Sequence, residues 1–464
     1  MAQWCLVRTL DAARHPAGDP EQITADLRAQ FLSTFGRDAE GTWFAPGRAN
    51  LNGEHIDFHG GRCLPMALSH GTYVAAAPRT DGVLQMRTLD PELDSGVIPS
   101  GPEAPSWTHY VSGVLWALQG LGTGATGLDD DGDPSLITNL TPEDGFGADL
   151  LILSTVPVGG GLSSSAALEC ACALAFVGLG TPLGHENPEE ELTSALTDDH
   201  RALLAQACIR AEVEFVGAGT GGLDQTVSLR GAENRILSLD CRDFSVNRLN
   251  ASCLLRGYRF LAVDTRQAHW LVDGQFAARR AEAEAAGALL GFSVAEGHQL
   301  REALPERRPK KLHVTERLTE FDEKTADRTQ ITGPDGQDYD AASCRRRLKH
   351  ALMEMLRSEK LHTLLSEEAF GLDHMAAEIG EIMTAGHVSM RDEAEVSLPA
   401  ADRIVDAALG AGAAGARLIG GGFGGSVLVL VHEDKMHDVA AAALKIDAGL
   451  RFLDVAPSAA ARVV

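Results

Sequence analysis

Four stretches of this chain concentrate side chains and backbone able to do chemistry. Pro157–Leu168 reads PVGGGLSSSAAL. Its three glycines let backbone N–H groups converge, and its three serines add hydroxyl donors where an apolar, helix-like run begins. Such a nest suits a polyphosphate, although a flexible loop ending in an ordinary serine cap would read the same way. Ala45–Gly61, APGRANLNGEHIDFHGG, packs Arg48, Glu54, His55 and Asp57 into a glycine-rich turn. Charge at that density fits a polar ligand better than solvent alone; the competing reading is a solvated loop of salt bridges. Gly217–Gln225, GAGTGGLDQ, places Asp224 behind a second flexible turn and twelve residues beyond Glu212. Arg417–Ser426, RLIGGGFGGS, is a further glycine-rich turn that leads into an apolar run.

Other patterns carry less. GxGxxG occurs at Gly122–Gly127, Gly217–Gly222, Gly410–Gly415 and Gly420–Gly425, and four matches in one chain show how unspecific it is. The Gly410 copy follows a helix-like segment rather than a strand, so the dinucleotide-binding context is missing. No GxxxxGK[ST] occurs, which argues against a Walker-type NTPase. His55 and His59, four apart, would share a helix face as metal ligands, but Gly53 and Gly60-Gly61 oppose a stable helix there. A metal hydrolase built on that pair ranks low.

Strands and helices must hold these loops. Leu150–Thr155, Tyr258–Val263 and Ser426–Val431 read as short buried strands, and Ala202–Phe215, Gln275–Leu290 and Asp402–Leu409 have helical apolar spacing. Their interleaving favours a mixed α/β or α+β architecture. Gly120–Asp149 and Gly180–Asp199 read as polar insertions or long loops, and Arg301–Asp340 as exposed helix plus loop. A domain change is expected near residue 250, because the glycine-rich loops group before 235 and again after 410.

Composition narrows the function classes. The 464 residues are 44% hydrophobic and 23% charged, ordinary for a globular protein. A net charge of −25 repels nucleic acid and anionic membranes, so neither is expected as a partner. The eight cysteines, at 5, 63, 170, 172, 208, 241, 253 and 344, form no CxxC and read as reduced thiols. The N-terminus, MAQWCLVRTLDAARHP, lacks a signal-peptide pattern, and the apolar run Ala166–Gly180 is too short to span a bilayer and contains Glu169. A soluble, cytoplasmic protein is expected.

The four chemical stretches together resemble the GHMP small-molecule kinases, and within them the galactokinase family. GRANLNGEHIDF approximates the family's sugar signature, GGGLSSSAA its phosphate loop and GGGFGGS its third motif. WTHYVSGVL at 107–115, TGGLDQTVSL at 220–229, LDCRDF at 239–244, VDTRQAHWLVDGQFAARRAEAE at 263–284 and RDEAEVSLP at 391–399 are similar as well. The likeness runs from about Gly41 to Lys445.

This resemblance implies an α+β, two-lobed GHMP kinase fold. A ribosomal-S5-domain-2-like N-terminal lobe over 1–255 would hold the sugar signature, phosphate loop and catalytic aspartate. A ferredoxin-like C-terminal lobe over 256–464 would hold the third glycine motif, with the site in the cleft. It also implies transfer of a phosphoryl group from ATP to the anomeric hydroxyl of galactose, with Mg²⁺. Asp224 aligns with the catalytic base, and Arg48 with the arginine beside it that stabilises charge on the transferring group. Glu54, His55 and Asp57 match sugar-binding residues, Gly221 a backbone contact to the sugar, and Phe276 a position on the sugar side. Gly159, Gly160, Gly161, Leu162, Ser163, Ser164 and Ser165 would cradle the ATP phosphates, with Trp107 near the adenine. Ser165 and Glu212 match the positions that hold Mg²⁺, a hard ion wanting oxygen ligands. The chain departs from the family at Phe276 and Phe58, where tyrosines are usual, at Asn52 in place of isoleucine, and at Ile419 in place of threonine. The alternatives are the same chemistry on N-acetylgalactosamine, arabinose or galacturonate, or a non-catalytic sugar and ATP sensor.

Overall fold

The computed structural model describes residues 9–94, 96–121, 134–187, 189–267, 273–292, 300–306, 309–366 and 371–464. Two β-sheets organise the chain. The first has six strands in the order Arg462–Val463, Gly41–Asn50, Pro65–Arg79, Gly147–Ser154, Leu84–Thr88, Ile98–Pro99. All neighbours are antiparallel except Leu84–Thr88 against Gly147–Ser154. Period-2 alternation sends successive side chains to opposite faces. Trp43, Val74, Ala76, Leu150 and Ile152 meet the helices Ser106–Gln119, Ser164–Gly180 and Asp198–Arg210. Phe44, Tyr73, Ala75 and Leu151 meet Leu27 and Phe31 of the helix Pro20–Phe35.

Ser164–Gly180 is the helix that carries the phosphate loop inward. It is buried almost all round, and its run of alanines and cysteines lets it lie close against the strands Gly41–Asn50 and Pro65–Arg79. It starts where the sequence places it, right after the serine-rich turn.

The second sheet has four antiparallel strands in the order Gly415–Ile419, Ser426–His432, Tyr258–Asp264, Arg451–Val455. Numbered along the chain this is the 2-3-1-4 arrangement of a ferredoxin-like lobe. Phe260, Ala262, Leu428 and Leu430 face the helix Leu372–Asp392, whereas Leu261, Val263, Val427 and Val429 face Pro399–Gly410 and Met436–Leu444. The first of these cores also takes in Ala49, Leu51, Leu64, Met66 and Leu162, so apolar packing is continuous between the lobes. Between the first and second strands of this sheet the chain inserts the helices Asp273–Leu289, Lys311–Thr325 and Ala341–Ser366, which pack on Ile56, Cys63, Leu239 and Cys241 beneath the sugar loop.

The chain ends cross over. The helix Leu10–Ala13 packs into the core of the second sheet, and Arg462–Val463 pairs with Gly41–Asn50 in the first.

Each of the three expected strands and three expected helices coincides with observed structure, Leu150–Thr155 and Gln275–Leu290 running one residue past the observed ends at Ser154 and Leu289 and Ala202–Phe215 passing from an α-helix into a π-helical turn. The polar stretches differ from expectation. Gly180–Asp199 is mostly helical: Pro182–Glu186 starts on a Thr181 cap with proline in its first turn, and Asp198–Arg210 on a Thr197–His200 capping box. Within Arg301–Asp340, a short hairpin pairs Gln330–Thr332 with Asp338–Asp340 around a Gly-Pro-Asp-Gly turn. Residues 122–133 of the Gly120–Asp149 stretch and residues 268–272 of the family-like 263–284 stretch lie outside the described residues.

Candidate active site

The four stretches meet in one cavity of about 350 Å³ between the lobes. Its wall includes Arg48, Glu54, His55, Asp57, Gly159, Gly161, Ser163, Ser164, Ser165, Glu212, Gly221, Asp224 and Phe276.

Arg48 stands near the end of the strand Gly41–Asn50, where the pairing register shifts between Pro46 and Arg48. A bulge of this kind re-aims the side chain that follows it. The guanidinium makes a two-pronged contact with Asp224, Nε to Oδ1 at 2.7 Å and Nη2 to Oδ2 at 3.1 Å, and its Nη1 donates to the Gly161 carbonyl at 2.7 Å. The Arg48 side chain is 7% exposed, against 26% for Asp224, so the pair is rigid on one side and open to the cavity on the other. Asp224 sits in the first turn of the helix Leu223–Arg230, and the Ser163 hydroxyl also donates to its Oδ2. Ser163 takes a left-handed backbone, φ 61°, which is unusual outside glycine and turns its hydroxyl away from an ordinary capping role.

Glu212 lies in a single π-helical turn, Ala211–Val216, continuing the helix Asp198–Arg210. Such wide turns concentrate at functional sites. Ser165 Oγ is 3.5 Å from Glu212 Oε1, and the Gln225 amide donates to Glu212 Oε2 and, at 3.0 Å, to the buried Glu169. Burial, with the Asp224 charge adding, pushes the Glu212 carboxyl up to about 7. Among the described residues no three His, Cys, Asp or Glu side chains cluster as a metal cage.

The sugar loop is held from the opposite lobe. Glu54 Oε1 accepts the Gly420 N–H at 2.9 Å, and His55 Nε2 donates to the Gly421 carbonyl at 3.1 Å. That bond makes Nε2 the protonated nitrogen of a neutral ring, and burial lowers the His55 pKa to about 3. Burial raises the Glu54 carboxyl, against the pull of Arg48 and Arg417. Burial, with the Asp224 charge adding, takes Asp57 up to about 7. Gly221 has to be glycine, because a Cβ there would overlap the Asp57 carboxylate. Phe276 closes the wall, its ring 5.1 Å from His55 and 5.5 Å from Phe58.

Two residues of the phosphate loop do not line this cavity. Leu162 buries its side chain in the core between the lobes while its carbonyl accepts the Arg48 N–H at 3.1 Å. The Gly160 carbonyl accepts from Ser426 Oγ at 2.7 Å, tying the loop to the second sheet. Trp107 lines a neighbouring cavity of about 230 Å³ with Tyr110, Leu93, Val158 and Leu168, and this cavity shares Ser164 and Ser165 with the first. Its apolar walls suit a flat heteroaromatic ring beside a phosphate loop.

The galactokinase galactose-binding signature matches residues 29–78, and the GHMP kinase N-terminal and C-terminal domains match 135–232 and 368–446. A galactokinase of Streptomyces coelicolor is 36% identical over 454 residues, 95% of this chain and 99% of the relative. This chain belongs to the galactokinase family. A galactokinase of Bos taurus is 30% identical over 421 residues, 88% of each chain. Among solved structures, the Lactococcus lactis galactokinase complexed with galactose superposes with a TM-score of 0.69 at 24% identity, covering 95% of this chain and all of that one. The GHMP kinase fold expected from the motifs is the fold observed.

Some roles within this cavity were not legible in the sequence. Gly420 and Gly421, inside the third glycine motif, act through backbone atoms on Glu54 and His55. Ser163, expected on the ATP phosphates, donates to Asp224, and Gln225, itself held by the buried Glu169, braces Glu212. For that brace the adjacency of Gln225 to Asp224 was the signal.

Proposed function

We propose that this protein transfers the γ-phosphoryl group of ATP to the anomeric hydroxyl of galactose, giving galactose 1-phosphate and ADP and feeding galactose catabolism. The observation that carries the reading is the Arg48–Asp224 pair, set between the sugar-loop carboxylates and the phosphate loop in one cavity. The C1 oxygen attacks the γ-phosphorus, the bond from that phosphorus to the bridging oxygen breaks, and the hydroxyl proton passes to Asp224. Arg48 fixes the aspartate's orientation and adds positive charge beside the transferring group. Glu54, His55 and Asp57 bind the sugar hydroxyls; the two acids, raised by burial, can donate as well as accept when protonated. Gly221 lets the turn approach, and Phe276 supplies an apolar wall.

Gly159 to Ser165 form the phosphate cradle at the start of a long buried helix, and Trp107 belongs to the adenine side. Ser165 and Glu212 offer two oxygen donors at the cavity wall, which fits Mg²⁺; a kinase metal held largely by substrate phosphates needs no protein cage. When bound, Mg²⁺ neutralises charge on the β- and γ-phosphates. The seven described cysteines are free thiols, six of them buried, which supports a reducing compartment, the cytoplasm. No helix among the described residues is long and apolar enough to cross a membrane.

The test is ADP release across a panel of monosaccharides. Galactose is expected to give the highest kcat/KM. A higher value for another sugar, or no sugar-dependent ADP release, would refute the reading.

A further inference from the structure

The helix Ala341–Ser366 bears three buried polar residues at i, i+4 and i+8: His350, Glu354 and Ser358. That spacing places them on one face. Each meets one residue of the sugar loop, in reverse order. His350 Nε2 donates to the Glu54 carbonyl at 3.1 Å, Glu354 Oε1 accepts the Gly53 N–H at 3.1 Å, and Ser358 Oγ accepts from Asn52 Nδ2 at 2.8 Å. Asn52 Nδ2 also reaches the Glu354 carbonyl at 3.3 Å, while its Oδ1 accepts from Arg417 Nη1 at 2.6 Å. A carbonyl only accepts and a guanidinium only donates, so the Asn52 amide has a single consistent orientation.

Arg417 Nη2 closes the ring on Glu354 Oε1 at 2.8 Å, and Arg357 Nη1 takes Glu354 Oε2 at 2.6 Å. Arg417 lies three residues before Gly420, whose N–H holds Glu54. Asn52, Glu354, Ser358 and Arg417 are all fully buried, and none lines the cavity. Burial alone would push the Glu354 carboxyl up, but Arg417 and Arg357 hold it well below the usual carboxylate range.

We infer that the His350–Glu354–Ser358 face, tied to Arg417 through Asn52, is a positioning device that sets the sugar-loop backbone and thereby the reach of Glu54, His55 and Asp57 toward galactose. The inference rests on the galactose reading above. A buried ion pair adds little net stability over apolar packing, whereas a fully satisfied polar network fixes one geometry. The loop needs such fixing: His55 sits at φ 60°, a conformation that persists in a non-glycine residue only when its surroundings enforce it. His350 acts on the carbonyl just before it, and Gly421 on its ring. The nucleotide side of the cleft touches none of these residues.

The test uses the full chain carrying Asn52→Leu or Ser358→Ala, with galactose and ATP varied separately and thermal unfolding measured alongside. Asn52→Leu keeps the size and deletes three buried bonds, so the galactose KM should rise about tenfold while the ATP KM stays within about threefold. Ser358→Ala deletes one bond and should move the galactose KM about threefold in the same direction. KM does not depend on how much enzyme is folded. A face that merely holds the fold would therefore lower Tm and apparent kcat and leave the galactose KM alone. A galactose KM within about twofold of wild type in the folded variants overturns the inference, as does an equal rise in both KM values. Should Asn52→Leu fail to fold, Ser358→Ala decides by the same two outcomes. Wild-type protein that releases no ADP with galactose would refute the substrate assignment instead.

Discussion

Asp224→Asn perturbs the centre of the site with almost no change in volume. Asp224 accepts three hydrogen bonds, from Arg48 Nε on Oδ1 and from Arg48 Nη2 and the Ser163 hydroxyl on Oδ2. An amide has a single acceptor oxygen. Placed at Oδ1, that oxygen keeps the 2.7 Å bond to Nε. The new NH₂ then faces Ser163, whose hydroxyl can rotate to accept, and Arg48 Nη2, which cannot. One charge-assisted bond and the ion pair are lost. Because Asp224 is 26% exposed and Glu54 and Asp57 also act on Arg48, the stability cost should be about 1–2 kcal/mol, below that of a fully buried pair. Turnover should suffer far more. The amide cannot take the C1 hydroxyl proton, and general-base contributions run to ~10²–10⁴-fold. The assay is ADP release at saturating galactose and ATP, with calorimetry for each ligand and a thermal melt for the fold. Affinities within about threefold of wild type and a ~10²–10⁴-fold drop in kcat are expected. Turnover above half the wild-type rate, or a deficit wholly explained by lost binding, would refute the assignment.

Phe276→Tyr should raise kcat/KM for galactose by about two- to tenfold, the worth of one net hydrogen bond, and leave the ATP dependence unchanged. Steady-state kinetics on galactose and a C2-modified analogue check this, and a fall, or a change confined to ATP, would make Phe276 simple packing. Ser165→Ala combined with Glu212→Ala should raise the Mg²⁺ concentration needed for activity sharply; an unchanged Mg²⁺ titration would put the metal elsewhere. Asp57 holds its proton in the folded chain up to about pH 7, against 3.8 for an ordinary aspartate. The folded state then binds more protons than the unfolded one between those values, so this group lowers stability as pH rises through that window. Asp57→Asn should flatten the corresponding fall in Tm, and an unaltered slope of Tm against pH would show that Asp57 is not buried as an acid.

Much of the site was legible because its residues sit in short, dense motifs. Arg48, Glu54, His55 and Asp57 lie within ten residues, and the phosphate loop announces itself by its glycines and serines between a strand and a helix. Strands such as Ser426–His432 were legible because both their faces are buried, which leaves an unbroken apolar run. Asn52 shows the limit. Read along the chain it is a polar residue in a glycine-rich turn, with nothing beside it to say what it meets. In space its partners lie about 300 and 365 residues away, on Ser358 and Arg417, and no local pattern announces such pairings. The Gly180–Asp199 stretch was misread for a different reason. Its acidic composition resembles a loop, whereas helix starts are set by caps, and Thr181-Pro182 and Thr197 supply them.

The crossed chain ends have a consequence for how the protein is made. Trp43 pairs with Val463, and Arg462 lies over the Phe44 ring, about 420 residues along the chain. The edge of the sheet that carries Arg48 is therefore left open until the ribosome has passed residue 460. Closing so long a loop is slow, and an unpaired edge strand invites wrong partners while it waits. Leu10 and Ala13 likewise wait for Arg451–Val455, the strand that completes the sheet burying them. The second sheet can close once Arg451–Val455 has been made, whereas the first must still wait for Arg462–Val463. A chain broken just after Val455 would keep all four strands of the second sheet and yet leave the strand that carries Arg48 without its edge partner, far upstream of the break.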